Sequence, residues 1–118
     1  MADAEKVRSM QLQKVWDCLV AKAVRKGRTE DEVYAIAQWL LGYAKEDIDR
    51  LAEEGCTYGE FFDKAPALNP KRNLVTGRIC GVKVEDIEAP IMHDVRVHDK
   101  MVDELPHGKP LAKVLRAS

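Results

Sequence analysis

The chain has 118 residues, the length of one domain, with 46% hydrophobic and 33% charged residues. That balance excludes an intrinsically disordered chain, and a domain of this size buries roughly two-thirds of its unfolded surface around one core. A net charge of −1 excludes a whole-molecule field that favours nucleic acid or a membrane surface.

Residues 1–8 are polar and read as a loose segment, which leaves 9–118 as a single helical domain. The start carries no apolar secretion signal, and no apolar run approaches the roughly 20 residues of a membrane span. A cytoplasmic protein with no membrane partner is the expectation. The three cysteines, Cys18, Cys56 and Cys80, are scattered and form no C-x-x-C. They read as small buried apolar residues in a reducing compartment.

From Met10, the residues Val15, Trp16, Leu19, Val20, Ala23 and Val24 recur at helical spacing, and Gly27 supplies a left-handed stop. Thr29-Glu30-Asp31-Glu32 is a capping box that opens a second helix. Its buried stripe is Val33, Ile36, Ala37 and Leu40, and Gly42 ends it. A third helix runs from about Lys45 to Glu54, with Ile48, Leu51 and Ala52 inward and Gly55 as its stop. Thr57-Tyr58-Gly59-Glu60 is a second capping box. It opens a short helix carrying Phe61, Phe62 and Ala65, terminated by Pro66.

Pro66 and Pro70 make residues 66–73 a loop. The stretch Leu74–Gly81 reads as either helix or strand. Helix is favoured, because no strand partner is evident elsewhere. Pro90 suits the first position of a last long helix, whose stripe is Ile91, Val95, His98, Val102 and Leu105. Pro106 and Gly108 break it, and a final turn around Leu111, Val114 and Leu115 docks back on the core. The fold class is therefore all-α, a compact single domain of five to six short helices.

A set of segments also carries a family resemblance. They are Val20-Ala21-Lys22, Arg25-Lys26-Gly27-Arg28-Thr29, Trp39-Leu40 with Gly42-Tyr43, Phe61-Phe62 and Ala65-Pro66-Ala67. They continue with Asn69-Pro70, Arg72, Thr76-Gly77, Cys80-Gly81-Val82, Asp99-Lys100 and Val102-Asp103-Glu104-Leu105. In order and spacing the chain resembles the bacterial family known as domain of unknown function 2200, from about Val7 to Arg116. The resemblance implies a short stand-alone bacterial protein with a small helical fold. It implies no activity, cofactor or catalytic residue. The sequence departs from the pattern at His98, where an apolar residue is expected, and at Pro106, where the helix usually continues.

Charge segregation is the strongest functional signal. Lys64, Lys71, Arg72, Arg78 and Lys83 lie in a stretch without an acid, as do Lys22, Arg25, Lys26 and Arg28. The stretch Glu85–Glu104 holds seven acids against Arg96 and Lys100. Such blocks create a local anion site in a near-neutral protein. The loop before a helix start is a natural place for phosphate or carboxylate, so the anion- or partner-binding residues are Asn69, Lys71, Arg72, Thr76 and Arg78. The competing expectation is that the blocks pair with each other inside the fold or simply face water.

Residues 74–90 also have helix-turn-helix-like spacing at Gly77, Gly81, Val82 and Ile87. The would-be recognition helix, however, carries Glu85, Asp86 and Glu88, which repel phosphate. His93 and His98 are five apart and so lie on different helix faces, without the i, i+4 pairing of a metal site. His98 reads as a hydrogen-bonded core or interface residue. Asp94, four residues before it, is placed to pair with it. Cys80, between Arg78 and Lys83, is the least implausible nucleophile. Trp39 and Tyr43 would suit a partner groove if exposed. No nucleotide, serine-hydrolase or metalloprotease motif is present.

The sequence thus leads to a non-enzymatic binding or interaction module with a basic anion-binding loop at 69–83. It needs no cofactor or metal, and its partner is a protein or a second copy of the chain. The alternative is a nucleic-acid-binding regulator using 74–90.

Overall fold

Two helix starts are fixed by capping boxes, and the computed structural model, which describes residues 2–79 and 81–115, contains both. Helix α3 will denote Glu30–Leu41 and α5 Tyr58–Asp63, in chain order with α1 (Ala2–Ser9), α2 (Leu12–Val24) and α4 (Lys45–Glu53). At α3 the Glu32 N–H donates to the Thr29 hydroxyl at 3.2 Å, and the Thr29 N–H donates to the Glu32 carboxylate at 3.0 Å. Thr57 and Glu60 repeat the arrangement at α5, at 3.2 and 2.9 Å. Each box satisfies backbone donors that the first helical turn leaves unpaired.

Helix α3 ends at Gly42, whose φ is 83°. The loop 66–69 runs directly beneath, with Ala67 N–H on Leu41 O at 3.0 Å and Asn69 N–H on Leu40 O at 2.9 Å. A Cβ at Gly42 would stand 2.9 Å from the Ala67 Cβ. Glycine is therefore required twice, for the left-handed turn and for the close approach.

Helix α2 buries Leu12, Val15, Trp16, Leu19 and Ala23, but Val24, expected on the same stripe, is exposed. Its first turn is tied to the start of α5 by an antiparallel bridge between Gln11 and Thr57. Leu12 N–H donates to Cys56 O at 2.9 Å, and Tyr58 N–H donates to Met10 O at 2.8 Å. Residues 2–8, expected to be loose, are helical as part of α1. Three contacts hold this helix. Val7 packs on the core, the Arg8 guanidinium pairs with Asp63, and Gly59 lets Arg8 lie flat on α5. These are tertiary contacts, which is why a polar segment with no periodicity gives no sign of them.

Helix α6 (Pro90–Glu104) is the element around which the rest is arranged. It packs on α2, α3 and α5 and on the segment 78–86. Pro90 sits in its first turn, where the missing N–H costs nothing. Val95, Val97, His98, Met101 and Val102 face the core, and Leu105 follows them. A last short helix, α7 (Leu111–Val114), returns Val114 to the interior. Between α3, α5 and α6 lies an aromatic cluster. Tyr43 stacks on Phe61 at 4.8 Å, and Tyr58 meets Phe62 edge-on at 5.1 Å.

The chain is essentially all-α, but the described residues hold seven α-helices rather than five or six, because α1 and α7 are short pieces fixed by packing. The segment 74–81 corrects the favoured helix. Leu74 closes a 3₁₀ turn (Pro70–Leu74), and β1 (Arg78–Ile79) pairs with antiparallel β2 (Val82–Lys83). Arg78 faces Lys83 and Ile79 faces Val82. The strand partner is local rather than remote, with Gly81 at φ 79° in the turn. A second 3₁₀ turn, Val84–Asp86, follows. The described residues of 74–90 therefore contain no pair of α-helices, and the helix-turn-helix reading is corrected. Gly77 precedes the hairpin and Gly81 lies in its turn, both at positive φ.

Candidate functional site

The five sequence-selected residues do not line one cleft: Arg72 borders one and Arg78 another. Asn69 caps the 3₁₀ turn, accepting from the Lys71 N–H at 2.9 Å and donating to Trp39 O at 3.2 Å. Arg72 donates from Nε to Asp94 Oδ1 at 2.9 Å and from its terminal nitrogen to Asn69 O at 3.0 Å. Both side chains are thus held in the fold's own bonds. Lys71 and Thr76 are exposed, and Arg78 lies apart on β1. The expectation that opposite charge blocks pair inside the fold is met by Arg72 with Asp94 and Lys22 with Asp103.

Arg78 lines a cleft of about 630 Å³ between the hairpin, the end of α6 and the start of α7. One wall is the loop after Leu105, and Arg28 holds that wall in place. Its guanidinium donates to Leu105 O and Lys109 O, both at 2.8 Å, and from Nε to Glu32 at 3.1 Å. Carbonyls at a helix C-terminus lack intrahelical donors and carry partial negative charge, so a planar cation suits them. The hydrogen bond from Arg28 is also the main reason the Glu32 carboxyl is held below its ordinary range.

Charge within the cleft is unbalanced. Asp103 pairs with Lys22 at 2.7 Å, and Glu104 with Lys109 at 3.1 Å. Arg78, Lys100 and Lys113 have no carboxylate at ion-pair distance among the described residues, although Arg78 and Lys83 lie near enough to Glu85 to favour its charged form. Lys100 crosses Gly77 so closely that a Cβ there would be 3.1 Å from its Cε. Gly77 has φ 110°, so the turn itself requires glycine. His107 at the rim places Nδ1 2.8 Å from Asp103 O.

A smaller cleft of about 320 Å³ is lined by Arg72, His93, Asp94, Glu85 and Glu88. Its groups are largely occupied. Asp94 Oδ1 meets both Arg72 Nε and His93 Nδ1, the latter at 3.2 Å, so Asp94 pairs with these and not with His98. Glu85 accepts the Gly77 N–H at 3.0 Å, and that bond is the main reason its carboxyl is held below the ordinary range. No group of three or more His, Cys, Asp or Glu that could hold a metal occurs among the described residues.

The remaining candidates fall inside the fold. His98 is fully buried, with Nδ1 2.6 Å from the Tyr58 hydroxyl, and burial lowers its pKa to about 4. Cys56 is buried and its thiol is pushed up by that burial, Cys18 is exposed contrary to expectation, and Cys80 lies outside the described residues. Tyr43 is buried with its hydroxyl on Phe61 O at 2.7 Å, so Trp39 and Tyr43 form no exposed pair. The cleft lysines, Lys100 and Lys113, escaped sequence selection. One is hidden in an acid-rich helix and the other follows a break. The signal that could have found them is the Gly108-Lys109-Pro110 turn, which reverses the chain beside the end of α6.

Residues 6–116 match the family described as DUF2200, uncharacterized protein conserved in bacteria. A crystal structure titled uncharacterized protein SP1917 is similar throughout, with a TM-score of 0.90 and 39% identity, covering 95% of this chain and 92% of that one. No curated protein matches the chain in sequence. Among the described residues no helix is long and apolar enough to cross a membrane.

Proposed function

We propose that this chain, which belongs to the bacterial family called domain of unknown function 2200, is a non-enzymatic binding module that holds an anion in the cleft of Arg78, Lys100 and Lys113. The observation that carries the reading is the unbalanced charge. Both lining carboxylates already have lysine partners, so a bound anion would meet three cations without displacing an internal ion pair. Within the basic loop 69–83, Arg78 is the contributor. Asn69 and Arg72 support it indirectly by fixing the turn that precedes the hairpin. A reducing cytoplasm suits the free thiols of Cys18 and Cys56.

Nucleic acid is the second reading, and the cleft disfavours it. Asp103 and Glu104 would face an extended phosphate backbone with repulsion, and among the described residues the lining offers no aromatic platform for bases.

Calorimetric titration with inorganic pyrophosphate at low and physiological salt tests the proposal. Binding that falls at least about tenfold in the Arg78→Ala/Lys113→Ala double variant is expected, the loss of two charge-assisted contacts. Unchanged binding in that variant, or no binding by the wild type, overturns it. Fluorescence anisotropy with a mixed-sequence DNA duplex is the parallel arm. A steeply salt-dependent affinity tighter than that for pyrophosphate would put the nucleic-acid reading first.

A further inference from the structure

We infer that the anion of this cleft is supplied by a second copy of the chain: Asp86 and Glu88 of one protomer reach Lys100 and Lys113 of its partner, and symmetry repeats the contact in reverse. The inference rests on the anion-cleft reading and names the occupant.

The first support is which charges are left over. Asp86 and Glu88 are exposed and have no cation at ion-pair distance among the described residues. Lys100 and Lys113 line the cleft and have no carboxylate at that distance among the same residues. Glu85 is engaged, since its carboxylate accepts the Gly77 N–H at 3.0 Å with Arg78 nearby. The free partners are therefore two lysines in the cleft and two carboxylates outside it.

The second support is where the carboxylates stand. Val84 N–H donates to Gly77 O at 2.9 Å, and Glu85 closes the same junction from its side chain. These bonds tie the 3₁₀ turn Val84–Asp86 to the hairpin base at the cleft's edge, and both turn and β1 pack on α6. Acidic and basic groups thus lie side by side without pairing within the chain. Adjacent patches of opposite sign form a self-complementary face, because a two-fold axis brings each copy's acids to the other's lysines. A patch of one sign would repel its own copy. Both clefts are filled in the pair, so association closes at two.

The third support is apolar. Of the large hydrophobic residues exposed among the described residues, Leu68, Leu74 and Val82 all fall within 68–82. Leu74 is 58% and Val82 45% exposed, on the 3₁₀ turn before the hairpin and on β2. Single exposed apolar residues are ordinary, whereas several on one segment mark a contact surface. A free small anion leaves them uncovered, and an unrelated acidic protein gives no account of the acids beside the cleft.

Sedimentation velocity of the full chain over a concentration series, at low and physiological salt, tests the inference. A reversible monomer–dimer equilibrium that weakens with salt is expected. Lys113→Glu and Asp86→Lys/Glu88→Lys should each raise the dissociation constant at least about tenfold. An equimolar mixture of the two variants should restore the dimer, since each altered face then meets its opposite. Lys113→Gln and Asp86→Asn/Glu88→Gln serve where a charge reversal lowers the melting temperature. Pyrophosphate should dissociate the wild-type dimer by taking the same lysines. A chain that binds pyrophosphate but stays monomeric at every concentration overturns the second-copy inference and leaves the anion cleft standing. A dimer insensitive to these variants, variants that mixing does not rescue, or a dimer that binds pyrophosphate without dissociating also overturns it. If the wild type neither self-associates nor binds pyrophosphate, both readings fall together.

Discussion

The hydroxyl of Tyr58 lies 2.6 Å from Nδ1 of His98, forty residues away in the chain, and both side chains are buried. The imidazole is neutral there, since burial lowers its pKa to about 4. Burial also holds the tyrosine proton in place, because it raises that hydroxyl well above its ordinary range. The tyrosine therefore donates to Nδ1 and the imidazole proton sits on Nε2, which has no partner among the described residues. The opposite tautomer would leave two polar groups unpaired instead of one.

This pair makes folding sensitive to acid. A histidine whose folded pKa is lowered from 6.5 to about 4 stabilises the fold fully above its unfolded value, and that stability is lost as pH falls from 6.5 toward 4. The loss should reach about 3 kcal/mol by pH 4. Asp99 and Arg96 act on the Tyr58 end with opposite signs, and the lowered carboxyls of Glu32 and Glu60 add to acid loss mainly below about pH 4.5. Urea unfolding at pH 7, 5.5 and 4 checks the sign. In the Tyr58→Phe/His98→Leu variant the slope between pH 6.5 and 4.5 should flatten, and an unchanged slope would exclude His98 as its source.

Arg28 joins the turn between α2 and α3 to the wall of the cleft, over 77 residues to Leu105. Arg28→Ala removes the guanidinium bonds to Leu105 O, Lys109 O and Glu32, leaving Leu105 O its Gly108 N–H and Glu32 its Thr29 donors, and should cost about 2–3 kcal/mol. Arg28→Lys keeps the charge but loses the fork, so it should recover less than half of that. Thermal unfolding gives the comparison, and full recovery by lysine would mean that charge alone matters.

Gly42 and Gly27 have nearly the same φ, 83° and 81°. A Cβ at Gly27 meets nothing within 4 Å, whereas at Gly42 it meets Ala67 at 2.9 Å. Gly27→Ala should cost about 1 kcal/mol, the left-handed strain alone. Gly42→Ala should cost at least about 1 kcal/mol more, because the 66–69 loop must move. Equal losses in chemical denaturation would show that the loop gives way freely.

Thr57 and Phe61 test the α5 corner from its two sides. Thr57→Ala removes one cap bond and should cost about 1 kcal/mol. Phe61→Ala removes a fully buried ring stacked on Tyr43 and should cost about 3–5 kcal/mol. Calorimetric melting of the two variants checks the ranking, and a cap loss larger than the core loss would contradict it.

The sequence by itself determined the helices that carry local instructions. Thr29 with Glu32 and Thr57 with Glu60 satisfy donors within one turn, Gly27 and Gly42 supply positive φ, and Pro90 fits only a first turn, so neighbours alone decide these boundaries. The same holds for the burial of Val33, Ile36 and Leu40, since a 3.6-residue period selects one face. Tertiary structure alone decided the rest. Helix α1 exists because Arg8 and Val7 find α5, the hairpin at 78–83 forms against α6, and Lys22 and Asp103 meet across the fold. It also decided which cations are spent and which are left over. Arg72 and Arg78 look alike in sequence, but one meets buried Asp94 and the other faces an open cleft. Charge acts through space, and only the packed chain sets those distances.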